Sequence, residues 1–154
     1  MDLELSGRVA LVTGSYRGTG RGIAARLAAE GATLLLHGFN AEVAGREAAR
    51  LRETGGDVRA VAGDVCSDDG AAAMVDAALA VAGQVDVLVN NYGVAAGPGW
   101  WDGTDDDWLD SYQRNVRSGV RLVRALVPGT ELDNATWCRT SARELAVVAA
   151  GGAP

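Results

Sequence analysis

A strand that runs into a helix through a glycine-punctuated turn constrains this chain more than any other feature. Val9, Ala10, Leu11 and Val12 form a short apolar run that reads as a buried strand. The turn Thr13-Gly14-Ser15-Tyr16-Arg17-Gly18-Thr19-Gly20 follows, and Ile23, Ala24, Leu27 and Ala28 then recur at helical spacing. A helix begins with unpaired N–H groups and about half a unit of positive charge, so a helix entered this way offers an anion site. Gly14 suits the tight turn, Gly18 the close approach of a diphosphate, and Gly20 the contact between helix and strand. The competing reading is a loop that merely needs flexibility. Its place between a strand and a helix near the N-terminus favours the nucleotide site.

Composition narrows the field. At 154 residues the chain makes one domain with a real core. The net charge of −6 and the lack of a basic stripe argue against a nucleic-acid partner. No apolar run is long enough to span a bilayer, and the start, MDLELSGRVA, lacks the layout of a secretion signal. Cys66 and Cys138 show no metal spacing and suit a reducing, cytoplasmic setting. His37 is the single histidine, so no metal site is expected. All 14 basic residues are arginine.

Further along, strand and helix patterns alternate. Strands are expected at Ala32–Leu36, Val58–Ala62 and Val85–Asn90, with helices at Ala41–Glu53 and Asp68–Val81. Thr104 opens a long helix with Asp105, Asp106 and Asp107 in its first turn, running to Pro128-Gly129. Such alternation predicts an α/β fold: a doubly wound parallel sheet in the order 3-2-1-4, with helices on both faces and a crevice beside strand 1. Beyond Gly129 the pattern stops. Thr130–Thr140 is mostly polar where a fifth strand belongs, and Ser141–Ala150 reads as a short amphipathic helix. The expected division is therefore a nucleotide-binding unit over 1–129 and a divergent tail over 130–154. Without a fifth strand the fourth becomes an open edge that invites pairing, covered either by the last segment folding over it or by another subunit.

The spacing Thr-Gly-x-x-x-Gly-x-Gly over Thr13–Gly20, Asp64 after strand 3, Asn90-Asn91-Tyr92-Gly93 after strand 4 and Asn115 on the long helix fall in one order. Together they resemble the short-chain dehydrogenase/reductase family, over roughly residues 5–128. The resemblance implies a Rossmann-type fold and a nicotinamide dinucleotide cofactor held by Thr13, Gly14, Ser15, Arg17, Gly18, Thr19, Gly20, Asp64, Val65, Asn90 and Gly93. Within it, Arg17 points to the 2′-phosphate of NADP(H), and strand 2 exits through His37-Gly38-Phe39-Asn40 without the carboxylate that favours NAD(H). NADP(H) is therefore preferred over NAD(H), although Phe39 stands where the family often has a second arginine. Arg17 taken alone is also readable as a solvated surface charge, and His37 as a strand-end residue beside the cofactor.

The resemblance further implies that Asp64 accepts from the adenine amino group, where a turn or helix-cap aspartate is the plainer reading. The first asparagine of Asn90-Asn91 braces the sheet in the family. Tyr92 replaces a small residue and must point away or crowd the cofactor. Asn115 matches the asparagine that holds a water in the family's proton relay, and mid-helix asparagine is mildly unfavourable unless buried with a role. The helix over 105–127 carries Val116, Val120, Val123 and Leu126, and in the family it packs against its symmetry mate, so a homo-oligomer is expected there. Trp100 and Trp101 precede it, either roofing a substrate pocket or stapling the loop down.

The family moves hydride between nicotinamide and a carbonyl or alcohol, using a serine and a Tyr-x-x-x-Lys pair whose lysine lowers the tyrosine pKa. No lysine stands in this sequence, and Tyr16, Tyr92 and Tyr112 all precede the region concerned. Ser141 falls near the serine position, and Ser141–Ala146 resembles the end of the helix that carries the lysine. The expectation is thus a truncated oxidoreductase chain that binds NADP(H) with little or no activity of its own. The alternative is a non-catalytic interaction module or a degenerate fragment of a reductase.

Overall fold

A computed structural model describes residues 4–95, 97–126 and 146–149. Strand β1 (Val9–Val12) is apolar at every position because both of its faces are covered. Ala10 and Val12 join one buried cluster with Leu34, Leu36, Ala24, Ala28, Ala44 and Ala48. Val9 and Leu11 turn the other way, into a cluster with Leu35, Val61, Met74, Val75, Leu88 and Leu122. The two-residue period of a strand therefore builds two cores from four consecutive residues.

Helices α1 (Gly18–Ala29) and α2 (Ala41–Arg52) cover the first cluster. Their buried residues include Ala24 and Ala28, then Ala44 and Ala48, at a spacing of four. Such small side chains let each helix axis lie close to the sheet. Helices α3 (Asp68–Ala82) and α5 (Ser118–Leu126) cover the second cluster. Strands β2 (Thr33–Gly38), β3 (Val58–Ala62) and β4 (Val87–Asn90) complete the predicted frame. All pairings are parallel and the order is β3-β2-β1-β4-β5, so the doubly wound expectation of 3-2-1-4 holds.

The end of the chain corrects two expectations. Residues Ala146–Ala149 form a fifth strand, β5, in register with Val87–Asn90, instead of part of a helix over Ser141–Ala150. Strand β4 is consequently not an open edge; of the two covers expected for it, the last segment is the one that pairs with it. The run Ala146-Val147-Val148-Ala149 is too short for periodicity to separate strand from helix, and the unpaired backbone of β4 decides in favour of the strand. Thr130–Thr140 and Ser141–Glu144, including the serine, lie outside the described residues.

The long helix is also not uniform. Thr104 caps α4 (Asp105–Tyr112) in a reciprocal box with Asp107. Over Gln113–Arg117 the coil then widens to a π-helical turn before α5 begins. Insertions of this kind are rare in helices and cluster at functional sites. This one holds Asn115.

Candidate functional site

At the carboxyl end of β1 the chain leaves for β2 on one side, while β4 lies on the other. That divergence opens a cleft of about 940 Å³. Gly14, Arg17, Gly18, Thr19 and Gly20 line it, together with Asp64 and Gly93.

The turn is held from behind by its polar side chains. Thr13 is buried, and its Oγ1 accepts from the N–H groups of Asn91 (3.0 Å) and Tyr92 (2.9 Å). Ser15 is also buried; its Oγ donates to the Val12 carbonyl at 2.6 Å and accepts from the His37 N–H at 2.9 Å. Both residues were expected at the cofactor, yet their side chains tie β1 to its neighbours β4 and β2. Val65 is likewise wholly buried, in the second core.

His37 completes this backing. The Gly14 N–H donates to Nδ1 at 3.1 Å, which leaves the proton on Nε2, 3.1 Å from the Gly63 carbonyl. Burial holds the imidazole pKa below its ordinary value, against the smaller opposing pull of the Gly63 carbonyl. His37 is thus a neutral strut between the glycine turn and the end of β3.

What the turn presents forward is backbone. Gly14 and Gly18 have φ of +63° and +53°, the left-handed region that favours glycine. A Cβ on Gly18 would meet nothing within 4 Å, so its backbone is open to a ligand. A Cβ on Gly20 would lie 2.4 Å from Asn91 Nδ2 and 2.7 Å from the Gly14 carbonyl, so that glycine serves close packing. Asn40, Ser67 and Thr104 cap α2, α3 and α4 with their side chains. Helix α1 has no side-chain cap, and its first-turn amides keep their partial positive charge toward the cleft. Arg17 is the N-cap residue, with its guanidinium 5.3 Å from the centre of the Tyr16 ring.

Asp64 is exposed at the cleft, and its carboxylate closes its own loop. Oδ1 accepts from the Cys66 N–H at 2.8 Å and Oδ2 from the Ser67 hydroxyl at 3.2 Å. The turn-aspartate reading therefore describes its contacts, while each oxygen retains a further lone pair.

Asn91 does the bracing expected of Asn90. Asn91 Nδ2 donates to the Thr13 carbonyl at 2.8 Å, whereas buried Asn90 Oδ1 has no partner among the described residues. Asn115 is exposed, so burial does not supply the argument for a role. Its amide is nonetheless fully used: Oδ1 accepts from the Val94 N–H at 2.8 Å, and Nδ2 donates to the carbonyls of Val94 (3.0 Å) and Ser111 (2.9 Å). Asn115 pins the segment that carries Gly93 and Val94, both on the cleft wall.

Trp100 resolves toward stapling, whereas Trp101 is 97% exposed. Trp100 packs on Trp108 with ring centres 4.9 Å apart, and neither Trp100 nor Trp101 lines the cleft. No group of residues suited to hold a metal ion occurs among the described residues. Nor is any helix there long and apolar enough to cross a membrane.

Sequence reasoning left one feature unresolved. Of the two alternatives for Tyr92, the ring does not point away; it lies in the cleft, 4.8 Å from that of Phe39. Its hydroxyl accepts from the Cys66 thiol at 3.4 Å. Burial, then the Cys66 contact, pushes the phenol well above its usual range, the opposite of a poised proton donor.

Comparison with known proteins agrees with this geometry. Residues 8–136 match the family model described as short chain dehydrogenase. The 7alpha-hydroxysteroid dehydrogenase of Escherichia coli is 33% identical over 130 residues, which cover 84% of this chain and 51% of that protein. The 3-oxoacyl-[acyl-carrier-protein] reductase FabG of Pseudomonas aeruginosa is 34% identical over 137 residues, 89% of this chain and 55% of that one. Among solved structures, the Pseudomonas aeruginosa RhlG/NADP active-site complex superposes with a TM-score of 0.74 at 35% identity, covering 80% of this chain and 48% of that chain. A 7 alpha-hydroxysteroid dehydrogenase complexed with NADH and 7-oxo glycochenodeoxycholic acid also gives 0.74, at 33% identity, covering 81% of this chain and 49% of that one. The chain thus spans about half the length of the curated relatives it matches. With a glycine turn opening onto the crevice of a 3-2-1-4 sheet, and with these relatives, the chain belongs to the short-chain dehydrogenase family.

Proposed function

We propose that this chain binds NADP(H) in the crevice beside β1, as the cofactor-holding part of an oxidoreductase acting on carbonyls or alcohols. The observation that carries the reading is the uncapped start of α1, whose open Gly18 backbone and Arg17 face one cleft. The residues fit the group. The first-turn amides would hold the diphosphate, and Arg17 would meet a 2′-phosphate with charge-assisted bonds. The exit of β2 carries no carboxylate, and Asn40 spends its side chain on the Val43 N–H, so nothing there repels that phosphate. Solved relatives carry NADH in one case and NADP in another, so the preference rests on Arg17.

When bound, the cofactor would supply the hydride chemistry. The chain's own residues bind and orient it: His37 fixes the turn, and Asn115 fixes the Gly93–Val94 wall. These 154 residues contain no lysine, and the Tyr92 phenol is held far from a proton-transferring pKa. Little or no turnover by this chain alone follows. The test is a titration of NADPH followed by its fluorescence, with a carbonyl substrate added afterwards. Saturable binding without NADPH oxidation supports the reading; absence of binding at millimolar cofactor overturns it.

A second reading, a self-association module, draws on one specific observation. Leu109, Tyr112, Val116 and Val120 are all exposed along α4 to α5. Such an apolar stripe is suited to pairing with a second copy of the helix.

A further inference from the structure

Tyr92 leaves the end of β4, yet its ring contacts residues that follow β2 and β3. In the order β3-β2-β1-β4, strand β1 lies between β4 and β2, so the chain has already moved over the β1 turn where Tyr92 begins, and its ring reaches on to the β2 side. It passes directly over the glycine turn: a Cβ on Gly14 would sit 3.3 Å from the Tyr92 Cα. Beyond the turn the ring lies on Phe39, with centres 4.8 Å apart and planes at 54°, and Phe39 in turn meets the edge of His37 at 5.6 Å. The Cys66 thiol holds the hydroxyl at 3.4 Å. The part of the crevice next to Phe39 and Cys66 is therefore filled by a side chain of the same protein.

The spacing leaves no room for a base between the two rings. A planar base held between aromatic faces needs them about 7 Å apart, twice the usual carbon–carbon contact. We propose that Tyr92, docked on Phe39 and latched by Cys66, is a gate on the base end of the cofactor cleft, which opens only when the ring swings off Phe39. The gate makes Tyr92 a specificity-determining residue. It leaves the anion cradle at α1 accessible to small phosphates, and it charges every base-bearing ligand the cost of opening. An aromatic pair and a weak thiol bond together set that penalty at about tenfold in affinity.

This inference rests on the nucleotide reading of the cleft, and the experiment separates the two. NADPH and inorganic pyrophosphate are titrated into the full chain and into its Tyr92→Ala and Tyr92→Phe variants, each checked for a cooperative melt. The gate predicts that Tyr92→Ala tightens NADPH about tenfold and leaves pyrophosphate within about twofold, with Tyr92→Phe in between because it removes only the latch. Unchanged or weaker NADPH binding by folded Tyr92→Ala overturns the gate, makes the ring a stacking platform or a bystander, and leaves the nucleotide reading standing. Failure of all three proteins to bind NADPH overturns both. If Tyr92→Ala does not fold, the Phe variant decides: tighter NADPH supports the gate, and equal or weaker binding ends it.

Discussion

The backbone N–H of Gly14 donates to Nδ1 of His37 at 3.1 Å, and through this bond the glycine turn is propped on the neighbouring strand. An imidazolium cannot accept that bond, so the turn and the neutral ring are one unit. Because burial lowers the His37 pKa in the fold, the unfolded chain binds this proton more readily. The associated stability is fully present above the ordinary value of 6.5, and it is lost as pH falls from there toward the lowered folded value. Urea denaturation at pH 7.5 and pH 5.5 will therefore give a lower midpoint at the acid end. His37→Leu will remove that contribution to the pH dependence. It will also cost about 2–4 kcal/mol, since it strands the half-buried Gly14 N–H and Gly63 carbonyl.

Arg17→Glu distinguishes the two cofactors. The substitution replaces a charge-assisted partner of the 2′-phosphate with a repelling one, a loss of at least about 1.5–3 kcal/mol, or roughly 10- to 100-fold in affinity. NADPH binding will fall by that factor while NADH changes little. Equal losses for both cofactors would show that Arg17 serves the diphosphate or the turn, and that the chain has no preference through this residue.

Gly20→Ala tests the packing role of the third glycine. The added methyl group would press on Asn91 Nδ2, the donor to the Thr13 carbonyl, and on the backbone carbonyl of Gly14. Overpacking of this kind costs about 1–3 kcal/mol. The drop will appear in thermal melting, and dinucleotide binding will weaken with it. Gly18→Ala behaves differently: its methyl group faces open space, so the strain of its positive φ, about 1 kcal/mol, is the main stability cost. Its effect falls chiefly on ligand approach.

The exposed stripe on α4 to α5 is checked by Val116→Glu together with Val120→Glu. Both side chains are exposed, so the pair will alter the melting temperature little. If the stripe pairs two copies, sedimentation will show a dimer that the double variant converts to monomer. A monomeric parent chain removes the self-association reading.

Much was legible in the sequence because it was local. The apolar run of β1, the glycine spacing of the turn and the alanine-lined helices each follow from the chemistry of adjacent residues, and their alternation leads to a parallel sheet in the order 3-2-1-4. Gly14, Gly18 and Gly20 were readable from the turn itself, the family resemblance implied Arg17, Thr19, Asp64 and Gly93, and all seven line one cleft. What only the tertiary structure decided depends on partners distant in the chain. Thr13 and Ser15 face β4 and β2 instead of the cleft, His37 carries the turn, and Asn91 rather than Asn90 braces it. Strand β5 exists because β4 offers it a backbone, and Tyr92 turns into the cleft because Phe39 and Cys66 receive its ring and hydroxyl there. A pattern of neighbours specifies which elements form; the direction of a polar or aromatic side chain is set by groups that approach only after those elements have packed.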